Sequence, residues 1–167
     1  MANSMLSISE KLKTSKNGTI QQTSPYLLNE LQTLYDSQRN IMYYGITDSE
    51  FLKQAKGTEY YKNGNFKYKG YWLNDLYDGK GKSFFVIGPV SYKGYWKEGL
   101  KSNKGTQYYP NGEIRYYGKW KKGKYYGYGT SYTSEGKKEY EGYFKNDKRH
   151  GEGKIYYENG WSLKYEG

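Results

Sequence analysis

A chain of 167 residues carrying 27 Lys+Arg against 17 Asp+Glu has a formal net charge of +10 and no cysteine, so disulfides, zinc ribbons, thiol nucleophiles and palmitoyl anchors are excluded. Only 35% of it is hydrophobic, and its apolar area comes from 24 tyrosines rather than from aliphatic side chains, which rules out an ordinary aliphatic core. No stretch is apolar for long enough to span a membrane.

Residues 1–23 are rich in Ser, Thr, Asn and Lys and read as a disordered or extended tail. The tail lacks the apolar run of a signal peptide, its second residue is Ala2 rather than glycine, and its resemblance to a transit peptide is faint. An intracellular, cytoplasmic location is therefore expected, with the mitochondrion as an alternative. Residues 24–56 are expected to form a helical N-terminal extension. Ser24 can cap a helix and Pro25 suits its first turn, and Leu27, Leu28, Leu31, Leu34 and Tyr35 then gather on one stripe. That stripe either covers the end of the array that follows or docks into another protein. Thr47-Asp48-Ser49-Glu50 has capping-box spacing and predicts a short turn through Phe51 and Leu52.

From residue 57 to 167 the chain repeats every 24 residues. Tyr68, Tyr92, Tyr116 and Tyr140 are each followed by Gly70, Gly94, Gly118 and Gly142, and then by Trp72, Trp96, Trp120 and Phe144. Gly81, Gly105, Gly129 and Gly153 end a Gly-x-Gly or its equivalent, and Gly64, Gly88, Gly112, Gly136 and Gly160 keep the same beat. Tyr-x-Gly-x-Trp alternates, so Tyr, Gly and Trp share one face of a strand while Lys69, Tyr71 and their counterparts take the other. Asn63-Gly64, Asn111-Gly112 and Asn159-Gly160 mark hairpin reversals, and the Gly-x-Gly glycines read as turn residues. Extrapolating the period backward places Tyr44, Ile46 and Asp48 in the Tyr-Gly-Trp columns, a degenerate first half-unit. The fold class is all-β: an elongated single-layer antiparallel sheet of stacked hairpins. Four to five units would extend it by about 40–50 Å, at roughly 10 Å per two-strand unit.

The units Tyr116–Glu139 and Tyr140–Lys164 carry Tyr-x-Gly-x-Trp or Phe, a Gly or Asp three residues later, and Gly-x-Gly. This pattern resembles the MORN repeat and covers about two thirds of the chain. Asn103 replaces one glycine of a Gly-x-Gly, and Asp75 and Asp147 stand where other units have Gly99 and Gly123. The resemblance implies a sheet of stacked hairpins with an aromatic core and a groove. It also implies scaffolding, since family members occur in membrane tethers, lipid kinases, cytoskeletal complexes and ciliary assemblies. It implies no activity.

The residues themselves offer little catalytic chemistry. His150 is the sole histidine and reads as a turn residue, and neither Asp75 with Asp78 nor Glu139 with Glu141 is signalled as desolvated. No metal site, cofactor or dinucleotide loop is indicated, since the Gly-x-Gly pairs lack a third glycine before a helix. The expected role is that of a structural or adaptor subunit binding other protein subunits. The candidate contacts are the aromatic column Tyr60, Phe84, Tyr108, Tyr132 and Tyr156, with Leu27, Leu31 and Leu34 of the extension and Tyr165 at the start of an incomplete last unit. That last strand would offer an open edge for self-association. The alternative partner is an anionic lipid surface, phosphoinositide-containing membranes included, met by Lys119, Lys121, Lys122, Lys124, Lys145, Lys148 and Arg149. Nucleic acid is disfavoured because structural duty already accounts for the tyrosines.

Overall fold

The computed structural model describes residues 30–157 and 163–166. Within them the chain forms twelve strands in one antiparallel sheet, each paired only with its neighbours in sequence. They are β1 Glu30–Tyr35, β2 Ile41–Thr47, β3 Lys53–Tyr60, β4 Phe66–Leu73, β5 Leu76–Phe84, β6 Val90–Lys97, β7 Leu100–Tyr108, β8 Ile114–Lys121, β9 Lys124–Tyr132, β10 Lys138–Lys145, β11 Lys148–Tyr156 and β12 Leu163–Glu166.

No helix occurs among the described residues, and the helical extension expected over 24–56 is replaced from Glu30 onward by β1, β2 and the start of β3. Residues 24–29, Leu27 among them, lie outside the described residues. Leu31, Leu34 and Tyr35 satisfy a helical stripe, yet Leu34 pairs with Tyr43 of β2 and packs on the core. A ready sheet edge with unpaired backbone groups and a buried tyrosine outweighs local periodicity. Asp36 closes the β1–β2 turn by accepting the Gln38 and Asn40 amides at 2.9 Å each, with Arg39 at φ 64°. The capping-box segment is a hairpin loop: Asp48 Oδ1 accepts the amides of Glu50 and Leu52 at 3.0 Å.

The first unit also differs from its extrapolated position. Tyr43, not Tyr44, is fully buried, Gly45 lies under its ring, and Thr47, 1% exposed, holds the tryptophan position. Thr47 pairs with Lys53 across a five-residue loop, whereas Trp72 pairs with Tyr77 across four residues. The extra loop residue shifts the first tyrosine one place upstream of the 24-residue beat.

Every unit repeats one packing device. Tyr68 lies flat along its own strand, its hydroxyl donating to the Tyr71 carbonyl at 3.0 Å, and its ring covers the cross-strand pair Gly70 and Gly81. A Cβ at Gly81 would overlap the Tyr68 phenol. Tyr43, Tyr92, Tyr116 and Tyr140 make the same bond to Ile46, Tyr95, Lys119 and Tyr143. The tryptophans stand edge-on between successive tyrosines, Trp96 at 5.6 Å from Tyr68 and 5.0 Å from Tyr92. The core is thus a single file of rings on one face of the sheet.

The glycines of Gly-x-Gly lie within strands rather than in turns. At each repeat a bulge sets three residues against one, as Asp78, Gly79 and Lys80 oppose Tyr71. The first position of the motif there takes positive φ: Ala55 50°, Gly79 97°, Asn103 53°, Gly127 63° and Gly151 67°. Asn103 is tolerated because asparagine enters the left-handed region more readily than most residues. The second glycine makes room for the tyrosine ring. The tight turns Asn74-Asp75, Glu98-Gly99, Lys122-Gly123 and Asn146-Asp147 have positive φ at both residues, the signature of type I′ hairpins. Asp75 and Asp147 replace glycine at a gain: their carboxylates accept the Lys53 and Tyr125 amides, 2.9 and 2.8 Å away, in the preceding unit.

Candidate binding groove

Because the core occupies one face, the other carries no burial duty. There the sheet forms an open groove of about 990 Å³. Its floor is the backbone at the glycine pairs, and its walls are lysines and tyrosines projecting from alternate positions of β2 to β8. Tyr44, Tyr71, Tyr95 and Tyr117 line it and are 37–48% exposed.

Cross-strand register arranges the lysines in rows. Thr58 pairs with Lys69, Lys69 with Lys82, Lys82 with Lys93, and Lys93 with Thr106. Three lysines therefore hold directly opposed backbone positions on β4, β5 and β6, about 4.8 Å apart from strand to strand, with the Lys69 ammonium resting over the Phe66 ring. Like charges so placed repel. A second row runs beside the first, pairing Lys56 with Tyr71, Lys80 with Tyr95 and Lys104 with Lys119. The Lys80 ammonium lies 5.4 Å from the Tyr95 ring centre and that of Lys104 lies 4.9 Å from Tyr117. Among the described residues no carboxylate lines the groove or pairs with its lysines.

The same signatures recur in the family comparison. The MORN repeat family model matches residues 68–89, 92–114 and 140–162. The chain carries MORN repeats. The intervening unit from Tyr116 has the same geometry as the matched MORN units, with Tyr116 fully buried over Gly118 and Gly129, and Tyr43 ahead of them is likewise buried over Gly45 and Gly57. No curated protein matches the chain.

The MORN ribbon distributes the sequence-derived candidates over several places. Tyr108 and Leu31 line the groove. Tyr60 and Phe84 both pack against Phe66, at 5.6 and 5.7 Å. Tyr156 donates to Glu141 at 3.1 Å with Lys138 above its ring, and Tyr132 offers its carbonyl to Tyr109. Leu34 belongs to the core margin, and Tyr165 lies on β12, paired in register with Ile155. Strand alternation sets Lys119, Lys121 and Lys145 on the face opposite Trp120 and Phe144, and Lys124 and Lys148 join them as cross-strand partners of Lys121 and Lys145. Lys122 is in the turn. Arg149 is on the core face, over the Tyr140 ring and 3.0 Å from Glu139. The anionic-surface set is therefore divided between two faces.

Sequence reasoning set Lys69 and its counterpart Lys93 on this face but named neither them nor Lys56, Lys80, Lys82 and Lys104 as site residues. The signal was present: Lys56, Lys80 and Lys104 precede the second glycine of each motif, and Lys69 and Lys93 follow the core tyrosine. It was hidden because their neighbours lie on other strands.

The carboxylates singled out from sequence are structural. Asp75 caps β3, Asp78 pairs with Lys97 at 3.0 Å, and Glu141 binds Lys138 at 2.9 Å. The Lys138 bond above all holds the Glu141 carboxyl below its usual range despite some burial. His150 lies exposed on β11.

Proposed function

We propose that this chain is a non-enzymatic binding subunit, an adaptor whose MORN ribbon holds a partner protein in the groove opposite its aromatic core. The observation that carries this reading is the division of labour between faces. One face buries the tyrosine and tryptophan file, and the other keeps aromatic and basic side chains exposed around a concavity. Exposed aromatic rings suit the centre of a protein interface, and a concave floor fits a segment of chain better than a flat bilayer. Affinity purification from the native source, with mass spectrometry of co-purifying chains, tests it. A partner retained at physiological salt and lost on Tyr95→Ala/Tyr117→Ala is the expected result, and a monomer that retains nothing overturns it.

A second reading rests on the tight-turn side of the ribbon, where Lys121 pairs with Lys124 and Lys145 with Lys148. These four lysines would meet an anionic membrane, each contributing about 1 kcal/mol near the surface. Sedimentation with acidic vesicles, weakened by salt and by Lys→Gln changes at these four positions, is its test.

A further inference from the structure

We propose that the Lys69–Lys82–Lys93 row selects an acidic segment of the partner, whose Asp or Glu side chains lie across β4, β5 and β6 between Thr58 and Thr106. This rests on the reading of the groove as a protein-binding surface and names the chemistry of what enters it.

The charge arrangement is the first support. Lysines in direct cross-strand register repel, and a sheet relieves that repulsion by interleaving carboxylates. This chain does so elsewhere: Lys53 and Lys67 share Glu59, Lys97 has Asp78, Lys138 has Glu141 and Arg149 has Glu139. The row in the groove has none of these partners among the described residues. Instead it is bounded by two threonines, Thr58 and Thr106, whose hydroxyls extend the same set of donors. The five positions span four strand spacings, about 19 Å, enough to engage several carboxylates of one segment.

The occupant's class follows from the walls. Nucleic acid would need the tyrosine ring faces for stacking, and at two of the four groove tyrosines a lysine already lies over one face, Lys80 at Tyr95 and Lys104 at Tyr117. Their hydroxyls remain as donors suited to carboxylates. A bilayer presents its headgroups in a plane, whereas these lysines stand inside a groove. The chain's own first 29 residues are poorly matched, since they hold Lys11, Lys13 and Lys16 against the single acid Glu10.

The test uses the full chain and a fluorescein-labelled peptide of alternating glutamate and serine long enough to cross the row. Binding is followed by anisotropy at physiological salt for the wild type, for Lys69→Gln/Lys82→Gln/Lys93→Gln, and for Lys121→Gln/Lys124→Gln/Lys145→Gln, which removes equal charge outside the groove. The expected result is binding by the wild type, weakened about tenfold or more in the row variant and less than about threefold in the control. Lys82→Glu should weaken the acidic peptide further than Lys82→Gln does. Because the row variant relieves repulsion, its Tm should equal or exceed that of the wild type, which separates lost binding from lost fold. Equal losses in both triple variants, tighter binding of an oligothymidylate than of the peptide, or binding to phosphatidylserine vesicles without peptide binding overturns the proposal. A native partner retained equally by the row variant also overturns it while leaving the adaptor reading intact; no native partner even for the wild type defeats that reading instead.

Discussion

The Tyr77 hydroxyl donates to the Glu59 carboxylate at 2.6 Å, and this bond joins one repeat to the next on the core face. Glu59 also takes the ammonium groups of Lys53 at 3.2 Å and Lys67 at 3.4 Å. Two repeats on, Tyr125 donates to Gln107 at 2.8 Å in the same way. Tyr77 and Tyr125 stack flat on Tyr68 and Tyr116, both at 3.8 Å, while Lys53, Lys101 and Arg149 hold the alternate positions as cations over rings. The 24-residue beat therefore carries a two-unit alternation of tyrosine and cation in one column.

Glu59→Gln should destabilise the ribbon by about 2 kcal/mol, because it removes the charge that three partners share in a largely buried site. Burial pushes the Glu59 carboxyl up, but the Tyr77 hydroxyl and the two lysines outweigh it and hold it below its usual range. The ionised form is the stabilised one, so its contribution is complete above the ordinary carboxylate range and is lost as pH falls through the depressed value. Urea melts of both proteins should differ at pH 7 and converge in acid. A constant gap across pH would contradict the charge argument.

Gly81→Ala and Ala55→Gly should act in opposite directions. A methyl at Gly81 collides with the Tyr68 phenol and should cost about 2–3 kcal/mol. At Ala55, φ 50° puts an L side chain in the left-handed region, so glycine should add about 1 kcal/mol. Thermal denaturation of the two variants checks both signs.

Gln107→Glu should stabilise the chain by about 0.5–1 kcal/mol at neutral pH. Gln107 holds the position of Glu59 one two-unit step later, so the Lys101 ammonium lies over Tyr92 and Trp120 without the carboxylate that Lys53 enjoys. Burial first, with help from Arg115, lowers the Lys101 amine to about 8. The folded chain thus gives up this proton near pH 8 while the unfolded chain keeps it to the ordinary lysine range, and the wild type gains stability from this group across that interval. The variant's advantage should shrink between pH 7 and pH 9.5 in paired Tm measurements. An advantage that grows with pH would sink the assignment.

Alkaline unfolding should be steep. Burial pushes the Tyr43 and Tyr125 hydroxyls up to about 12 and raises Tyr68, Tyr77, Tyr92 and Tyr116 further. These six raised groups stay protonated in the folded chain while the unfolded chain ionises near pH 10, so the stability present below pH 10 is lost as pH rises through that window. Tyrosinate absorbance should rise in two phases, the second coinciding with loss of the sheet's circular dichroism. A single smooth titration with the sheet intact would show that the tyrosine file is not buried.

By itself the sequence determined the repeat, the two faces of each strand, the hairpins and the burial of Tyr68, Trp72 and their equivalents, because alternation along a strand and glycine in a tight turn are local constraints. It misassigned Leu31, Leu34 and Tyr35 to a helix and put Tyr44 in the place of Tyr43, since a strand recruited by a neighbouring edge and one additional loop residue are settled by pairing. Only the tertiary structure decided which lysines share the groove. Lys69, Lys82 and Lys93 are 13 and 11 residues apart in sequence, and they align because the bulge opposite Tyr71 shifts the register of β5. Cross-strand register is a property of paired backbones, so the charge row it creates exists only once the ribbon has folded.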